Sequence, residues 1–268
     1  MLSLGTVGCS FSCSFCQNWS LARNKEGREM ESITPAEILA LLCRQPARGR
    51  LGVAYTYNEP PVWYEFVRTT AEFITANGYQ NVLVTNGLIK AQPLKELLPS
   101  IQALNVDVKA FREDFYRRYC QGKGLQEVLR TVEQASAGCH VELTYLLIPG
   151  LNDSAEEIRD FVDWVASLDR ETPVHFSRYF PQYRLTLPPT PRETMLRAWE
   201  TAREKLDYVY LGNVPDDERN TTYCPSCQQP LLSRRGYHLQ NTGLKGKCCK
   251  YCGYTIRLTG HIYGEESD

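Results

Sequence analysis

No apolar run in this 268-residue chain approaches the roughly 18 residues that a membrane span needs, and the stretch from Met1 to Gly8 is too short for a signal peptide. A cytosolic location is expected. An excess of one charge is also lacking: 30 Lys and Arg stand against 31 Asp and Glu. Whole-chain electrostatics therefore nominate neither nucleic acid nor an anionic membrane as an obligatory partner. What the chain does have is cysteine, 11 residues of it. A small secreted domain would pair these as disulfides, but this chain is large and groups most of them near its two ends in ligand-like spacings, which points to metal chemistry. Cys43, Cys120 and Cys139 stand apart from those groups and read as semi-buried thiols. With 43% apolar residues, the chain can bury one substantial core and still leave length for a small appended module.

From residue 2 to about 212 the pattern alternates strand, loop and helix. Strand candidates are Leu2 to Val7, Leu51 to Tyr57, Asn81 to Thr85, Ala103 to Lys109, His140 to Ile148 and Pro173 to Phe180, with Tyr208 to Leu211 as an additional candidate. Thr34-Pro35-Ala36-Glu37 and Thr190-Pro191-Arg192-Glu193 read as helix starts, each with a capping Thr, a first-turn Pro and a Glu placed to close a capping box. Ser154 with Glu157 offers the same box ahead of Ile158, Phe161, Val162, Val165 and Leu168 at helical spacing. Strands alternating with long helices imply a parallel sheet, and six such units suit a partial (β/α)6 TIM-like barrel. Asn105, Asp107 and Lys109 alternate with Val106, Val108 and Ala110, so one face of that strand is polar. A packed parallel sheet rarely accepts such a face, whereas a lumen holding a polar ligand does.

The predicted organisation is a barrel over residues 1–215, a polar linker over 216–222, a small module over 223–260 and a tail over 261–268. Within the module, Asp and Glu are absent while Arg234, Arg235, Lys245, Lys247, Lys250 and Arg257 are present. Its Cys224-Pro225-Ser226-Cys227 and Cys249-Lys250-Tyr251-Cys252 form two C-x2-C knuckles, whose thiolates suit a closed tetrahedral structural zinc in a zinc-ribbon-like unit. Iron in a rubredoxin-like site, or a second cluster, is the alternative. Cys248 adjoins a ligand and is the odd thiol. Zinc with four thiolates carries a charge of about −2, so nearby cations follow from the metal alone and no nucleic-acid partner is expected.

At the other end, Gly8-Cys9-Ser10-Phe11-Ser12-Cys13-Ser14-Phe15-Cys16 sets three thiols as C-x3-C-x2-C directly after the first strand. Three thiolates on one loop can hold three irons of a cubane cluster and leave the fourth open to a small-molecule chelator. Zinc is the alternative occupant, but it normally takes four protein ligands, and the isolated cysteines are in no spacing that nominates a fourth. The position also fits chemistry, because barrel enzymes place it at the C-terminal ends of strands.

This spacing, with an aromatic directly before the third cysteine, resembles the radical S-adenosylmethionine (SAM) superfamily. Gly5-Thr6-Val7-Gly8-Cys9, Cys16-Gln17-Asn18-Trp19, Tyr57-Asn58-Glu59-Pro60, Val84-Thr85-Asn86-Gly87, Asp107-Val108-Lys109, Ile148-Pro149-Gly150-Leu151-Asn152-Asp153, His175 to Pro181 and Tyr208 to Asn213 follow in order. Together they resemble the AmmeMemoRadiSam-system radical SAM enzymes, relatives of the pyruvate formate-lyase-activating enzymes. The resemblance implies a [4Fe-4S] cluster on Cys9, Cys13 and Cys16 whose open iron is chelated by SAM, and an electron that cleaves the sulfonium to a 5′-deoxyadenosyl radical for hydrogen abstraction. Phe15 matches the aromatic beside the adenine. Glu59, with Asn58 in the same motif, matches the acceptor of the methionine ammonium, although the Gly-Gly that commonly precedes that Glu is absent. Asn86, Asp107 and Lys109 match polar positions of the cofactor pocket, and Asp107 and Lys109 can hold each other ionised on one strand face. His175 is a weaker match, since the histidine of activating enzymes falls at Phe180. Thr144 stands where those enzymes carry an arginine. The chain opens directly on its first strand, where related proteins carry an N-terminal extension with further cysteines.

Cluster potentials run from roughly −700 to +450 mV, and sulfonium cleavage needs the low end, which implies a flavodoxin or ferredoxin as electron donor. The implied substrate is a glycine of a glycyl-radical protein or a small molecule handled with a Memo-like partner. The reading from another class is a non-catalytic iron-sulfur and zinc protein, an electron carrier or scaffold.

Overall fold

The computed structural model describes residues 1–23, 32–46, 50–216, 218–236 and 238–258. The predicted tail over 261–268, the last two residues of the predicted module and Asp217 of the predicted linker lie outside these. Seven strands, β1 (Leu2–Leu4), β2 (Gly52–Tyr55), β3 (Gln80–Thr85), β4 (Ala103–Asp107), β5 (His140–Leu147), β6 (Val174–Arg178) and β7 (Val209–Gly212), lie in sequence order in one sheet. Every neighbouring pair is parallel. Six units were expected; the additional candidate is the seventh strand, pairing Val174 with Val209 through Ser177 with Gly212. The α/β architecture with an ordered parallel sheet is consistent with a radical SAM partial barrel.

Around it run α1 (Trp19–Arg23), α2 (Pro35–Arg44), α3 (Tyr64–Ala76), α4 (Ala91–Leu97), α5 (Glu113–Phe115), α6 (Leu125–Ser136), α7 (Ala155–Leu168) and α8 (Arg192–Arg203). The capping box at Thr34 and Glu37 forms in full. The other two predicted boxes do not. Ser154 Oγ accepts from Glu157 N at 3.2 Å, but the buried Glu157 carboxylate does not return to the cap. It accepts instead from Phe111 N at 2.8 Å, Arg112 Nε at 2.7 Å and Tyr145 Oη at 3.0 Å. Thr190 is wholly buried and its hydroxyl accepts from Tyr179 N and donates to Leu147 O, so α8 starts without it as a cap. In both cases a buried partner reached through the tertiary fold outcompetes the local bond.

The sheet has two unlike faces. On β5, Val141, Leu143, Tyr145 and Leu147 are buried, and Tyr145 packs at 4.9 Å from Phe161 of α7. Between them His140, Glu142, Thr144 and Leu146 point the other way. That second face is polar, as β4 led one to expect: Thr144 Oγ1 donates to Asn105 Oδ1 at 2.9 Å, while Glu142 bridges His140 at 3.0 Å and His175 at 2.7 Å. Burial alone would raise the Glu142 carboxyl, but hydrogen bonds and charge from the two imidazoles outweigh it and hold it well below the usual carboxylate range. A carboxylate lowered on folding contributes stability above its ordinary pKa of about 4.3 and loses it as pH falls below that. Glu142→Gln is expected to lower the free energy of unfolding at pH 6 by an amount on the order of 1 kcal/mol, discounted because the side chain is partly solvated. The gap between variant and wild type should start to shrink as pH falls below about 4 and keep shrinking toward the strongly lowered range of the folded carboxyl. A constant gap across that range would remove the ionised carboxylate from the account.

After β7 the chain forms short antiparallel strands: β8 (Thr222–Tyr223), β9 (Pro230–Arg235) and β10 (His238–Asn241) in one sheet, β11 (Leu244–Lys245) and β12 (Cys248–Cys249) in another. Their core is small and includes Cys224, Leu231, Leu232, Leu244, Cys249 and Ile256, packed together with Tyr208 and Tyr210 at β7. Arg257 pairs with Asp169 and Glu171 ahead of β6. In the stretch read as a polar linker, Asp216 is buried and accepts from Arg192 at 3.1 Å and Arg219 at 3.2 Å.

Candidate active site

The loop after β1 is held from several sides. Gly8 N donates to Leu21 O at 3.2 Å, while the Asn58 side chain accepts from Thr6 N at 3.2 Å and donates to Gly8 O at 2.9 Å. Farther along, Ser12 N and Ser14 N donate to Cys120 O and Tyr119 O, both at 2.8 Å, and Arg184 N donates to Ser14 O at 2.9 Å. Phe11 anchors the loop beneath, 5.6 Å from the Tyr116 ring and against Gly124, where an added Cβ would lie 2.7 Å from Phe11 Cζ. Glycine is required there by contact rather than by backbone angle.

A cavity of about 240 Å³ opens over this loop. Cys9, Cys13 and Cys16 line it together with Phe15, Asn58, Glu59, Asn86, Asp107 and Lys109, so all but one of the residues nominated for cluster and cofactor share one space. These come from the loop after β1 and the C-terminal ends of β2, β3 and β4. His175 is the exception: it does not line the cavity, and its ring bonds Glu142 and stacks on Tyr210 at 5.1 Å. Phe15 is buried and packs at 5.7 Å from Phe115 while still lining the cavity. Sequence reasoning missed Thr85, Ser177 and Asn213, which also line it, as does Thr144, singled out only as standing where activating enzymes carry an arginine. Position at the C-terminal ends of β3, β6 and β7 was the signal available for the first three.

Glu59 is 1% exposed, with Oε1 accepting from Thr85 Oγ1 at 2.5 Å and Oε2 from Asn86 N at 2.8 Å. Burial pushes its carboxyl up to about 8 against those two bonds. Such a group gains most from an incoming cation that lets it ionise. The turn carrying Asn86 depends on Gly87, at φ +76°, where a Cβ would meet Val106 and Val128 at 3.0 and 3.1 Å. Asn86 Nδ2 donates to Ser10 Oγ at 3.0 Å and to Cys9 Sγ at 3.5 Å. Lys109 Nζ lies 2.7 Å from Asp107 Oδ2, and although burial disfavours its charge, Asp107 and Cys13 hold the ammonium well above its ordinary range.

The thiols differ. Burial pushes Cys9 up to about 11 and raises Cys16, while a hydrogen bond with Cys120 lowers Cys13 despite its burial. Lys109 and Arg23 act on Cys13 and Cys16 as positive charges. Among the described residues Arg23 Nη2 is buried without a hydrogen-bond partner. Softness of the sulfur donors, cations behind them and an N–H of Phe11 on Cys9 Sγ at 3.4 Å all suit an anionic iron-sulfur group.

The model of the radical SAM superfamily matches residues 3–165. The chain belongs to this superfamily. It is 40% identical to an uncharacterized protein of Methanocaldococcus jannaschii over 96% of this chain and 78% of that one. It is 28% identical to a GTP 3′,8-cyclase of Lactiplantibacillus plantarum over 79% of this chain, spanning 58% of the cyclase. Identity to a pyruvate formate-lyase-activating enzyme of Clostridium pasteurianum is 27%, over 60% of this chain and 67% of that enzyme. In fold it is similar to Streptococcus suis SuiB bound to S-adenosylmethionine, with a TM-score of 0.60 at 17% identity, covering 79% of this chain and 50% of SuiB. This radical SAM chain is thus homologous to activating enzymes, with the particular reaction left to its site. No helix among the described residues is long and apolar enough to cross a membrane.

A second group of thiols stands apart. The ligand sulfurs of Cys224, Cys227, Cys249 and Cys252 lie within 4.8 Å of one another, with Cys224 to Cys252 and Cys227 to Cys249 both at 3.6 Å. A tetrahedron with Zn–S bonds of about 2.3 Å has sulfurs roughly 3.8 Å apart, so the four thiols fit one zinc-sized ion. Burial opposes ionisation of Cys249, but the Tyr251 and Cys252 N–H groups and neighbouring thiols bring it down to about 7. Cys248 faces Thr255 Oγ1 at 3.8 Å.

Proposed function

We propose that this chain uses a [4Fe-4S] cluster on Cys9, Cys13 and Cys16 to cleave SAM reductively and abstract hydrogen from a substrate, in the manner of the activating enzymes. The observation that carries this is the shared cavity: three thiols that fit a cluster face Glu59, Asn86, Asp107 and Lys109 across one space. When bound, the cluster supplies one electron to the sulfonium, which yields methionine and the 5′-deoxyadenosyl radical that takes a hydrogen atom from substrate. Glu59 receives the methionine ammonium, Thr85 and Asn86 fix that carboxylate, and Asn58 sets the height of the cysteine loop. Phe15 supplies an apolar wall for the adenine. The paired Asp107 and Lys109 present polar groups to the rest of the cofactor. The four C-terminal thiols hold a structural zinc, and residues 1–215 and 223–260 act as a barrel and a zinc-ribbon-like module.

A flavodoxin or ferredoxin delivers the electron. The ordered motifs resemble those of the AmmeMemoRadiSam-system enzymes, which supports a glycine of a partner protein or a small molecule handled with a Memo-like partner as the hydrogen donor. The test is anaerobic incubation of reconstituted, reduced protein with SAM. 5′-Deoxyadenosine in amounts above one per chain supports the reading; a cluster that neither binds nor cleaves SAM supports an electron carrier instead.

Glu59→Ala is expected to keep full iron while losing roughly tenfold to a hundredfold in SAM affinity, as a lost charge-assisted hydrogen bond of about 1.5 to 3 kcal/mol implies. Thr85→Val keeps the carboxylate and should weaken binding less. Titration of SAM into the reduced protein, followed by electron paramagnetic resonance, separates the two. Equal affinities in all three proteins would take Glu59 out of the site.

A further inference from the structure

The segments around the cysteine loop are one-sided in charge. In a chain whose 30 basic and 31 acidic residues nearly cancel, residues 1–23, 115–126 and 172–192 contain no Asp or Glu. Backbone bonds gather the three. Ser12 N and Ser14 N donate to Cys120 O and Tyr119 O of the single π-helical turn Tyr116–Cys120, and Arg184 N, from the connection after β6, donates to Ser14 O. Arg117 and Arg118 on that turn, Lys123 just after it and Arg184 are all exposed. Among the described residues Arg118, Lys123 and Arg184 have no carboxylate partner, and Arg117 meets Glu113 only at 3.9 Å. Beside Arg184 is an exposed aromatic pair. Trp19, which follows Cys16 closely in the chain and is 39% exposed, stacks at 5.2 Å on Tyr183, and the Arg184 guanidinium lies 5.0 Å from the same ring. Tyr183 keeps a left-handed φ of +59°, unfavourable for a residue with a side chain, so its ring is held in that stack against the backbone's preference.

We propose that this face docks an acidic one-electron carrier protein, with Arg117, Arg118, Lys123 and Arg184 drawing its carboxylates and Trp19 with Tyr183 packing in the contact; this rests on the cluster reading above. An unpaired basic patch on a chain of formal net charge −1 steers an acidic partner and fixes its orientation. Aromatic side chains beside arginines are also what interfaces favour. The cluster's own charge does not account for these cations, because their side chains reach into water, while Lys109 and Arg23 are the positive charges that act on Cys13 and Cys16. None of the six residues lines the cavity, so a carrier seated here leaves that space to SAM and substrate. It also meets the loop that holds the cluster through the segments bonded to Ser12 and Ser14. The electron step balances: a flavin hydroquinone in the carrier gives one electron and becomes the semiquinone, and the oxidised cluster takes that electron.

The experiment uses the anaerobically reconstituted full chain without SAM and a purified acidic flavodoxin as the probe. Calorimetry with oxidised flavodoxin gives the affinity, and stopped-flow absorbance with its hydroquinone gives the second-order rate of cluster reduction. In an Arg118→Glu, Lys123→Glu chain both should fall by about ten- to a hundredfold at low salt, and Arg184→Glu should lower both in the same direction. The wild-type advantage should fade toward about 1 M salt, where the Debye length is about 3 Å. Iron per chain, and reduction by the photogenerated radical of 5-deazariboflavin, a small uncharged donor, should match wild type. The two variants alter different segments, so a loss of iron in one leaves the other to decide. Unchanged affinity and rate overturn the proposal, as does an equal slowing with deazariboflavin, which would place the effect on the cluster itself. A wild-type cluster that deazariboflavin reduces and flavodoxin neither binds nor reduces also overturns it. Wild-type protein that takes up no cluster overturns the underlying cluster reading instead.

Discussion

Cys13→Ala is expected to strip the [4Fe-4S] cluster from the chain and to abolish 5′-deoxyadenosine formation while leaving the parallel sheet folded. Cys13 is the middle thiol of the loop, nearly buried, and backed by Lys109 and Arg23. With it gone, two thiolates remain for a cubane that needs three protein ligands in this arrangement. The fold does not depend on the sulfur in the same way. The loop is tied through the Ser12 and Ser14 backbone bonds and the Phe11 anchor, none of which involves the Cys13 side chain. Iron analysis together with far-ultraviolet circular dichroism decides the matter: full iron in the variant would remove Cys13 from the ligand set, and loss of helical signal would mean that the thiol supports the fold.

Much of this site was legible because its chemistry is local. Three thiols within one loop and a Glu at a strand end keep their meaning wherever the fold puts them, and β4 announced its polar face by simple alternation. The polar face of β5 was less legible. Glu142 and His175 are brought together by the register that sets Thr144 beside His175 across β5 and β6, a relation between residues 33 apart. That pairing draws His175 to the carboxylate and away from the cavity it was assigned to. The capping boxes failed for the same kind of reason, since Glu157 and Thr190 each found a buried partner far along the chain. Cys120 is the clearest case. Its sequence neighbours carry no ligand spacing, and only the π turn and its backbone bonds to Ser12 and Ser14 bring it to Cys13.

Loss of the C-terminal metal should be felt in the barrel but not at the cysteine loop. In a Cys249→Ser, Cys252→Ser chain two thiolates remain, too few for a closed zinc site, and short strands such as β8, β11 and β12 have little apolar area to hold them without it. Their unfolding would uncover Tyr208 and Tyr210, which are packed against Cys224, Leu231 and Ile256, and would release Arg257 from Asp169 and Glu171. Exposure of two such rings costs on the order of 3 kcal/mol, whereas the exposed ion pairs add little. The melting midpoint should therefore fall by roughly 6 to 12 °C for a barrel of this size. Zinc per chain should drop from one to none. The cysteine-loop cavity opens at the opposite ends of the strands: Asn213, after β7, lines it, while Tyr208, before β7, packs in the small core around Cys224 and Cys249. Iron content and the cluster spectrum should consequently be unchanged. Loss of zinc with no change in the midpoint would make the module an appendage, and loss of both metals together would mean that barrel and module fold as one unit.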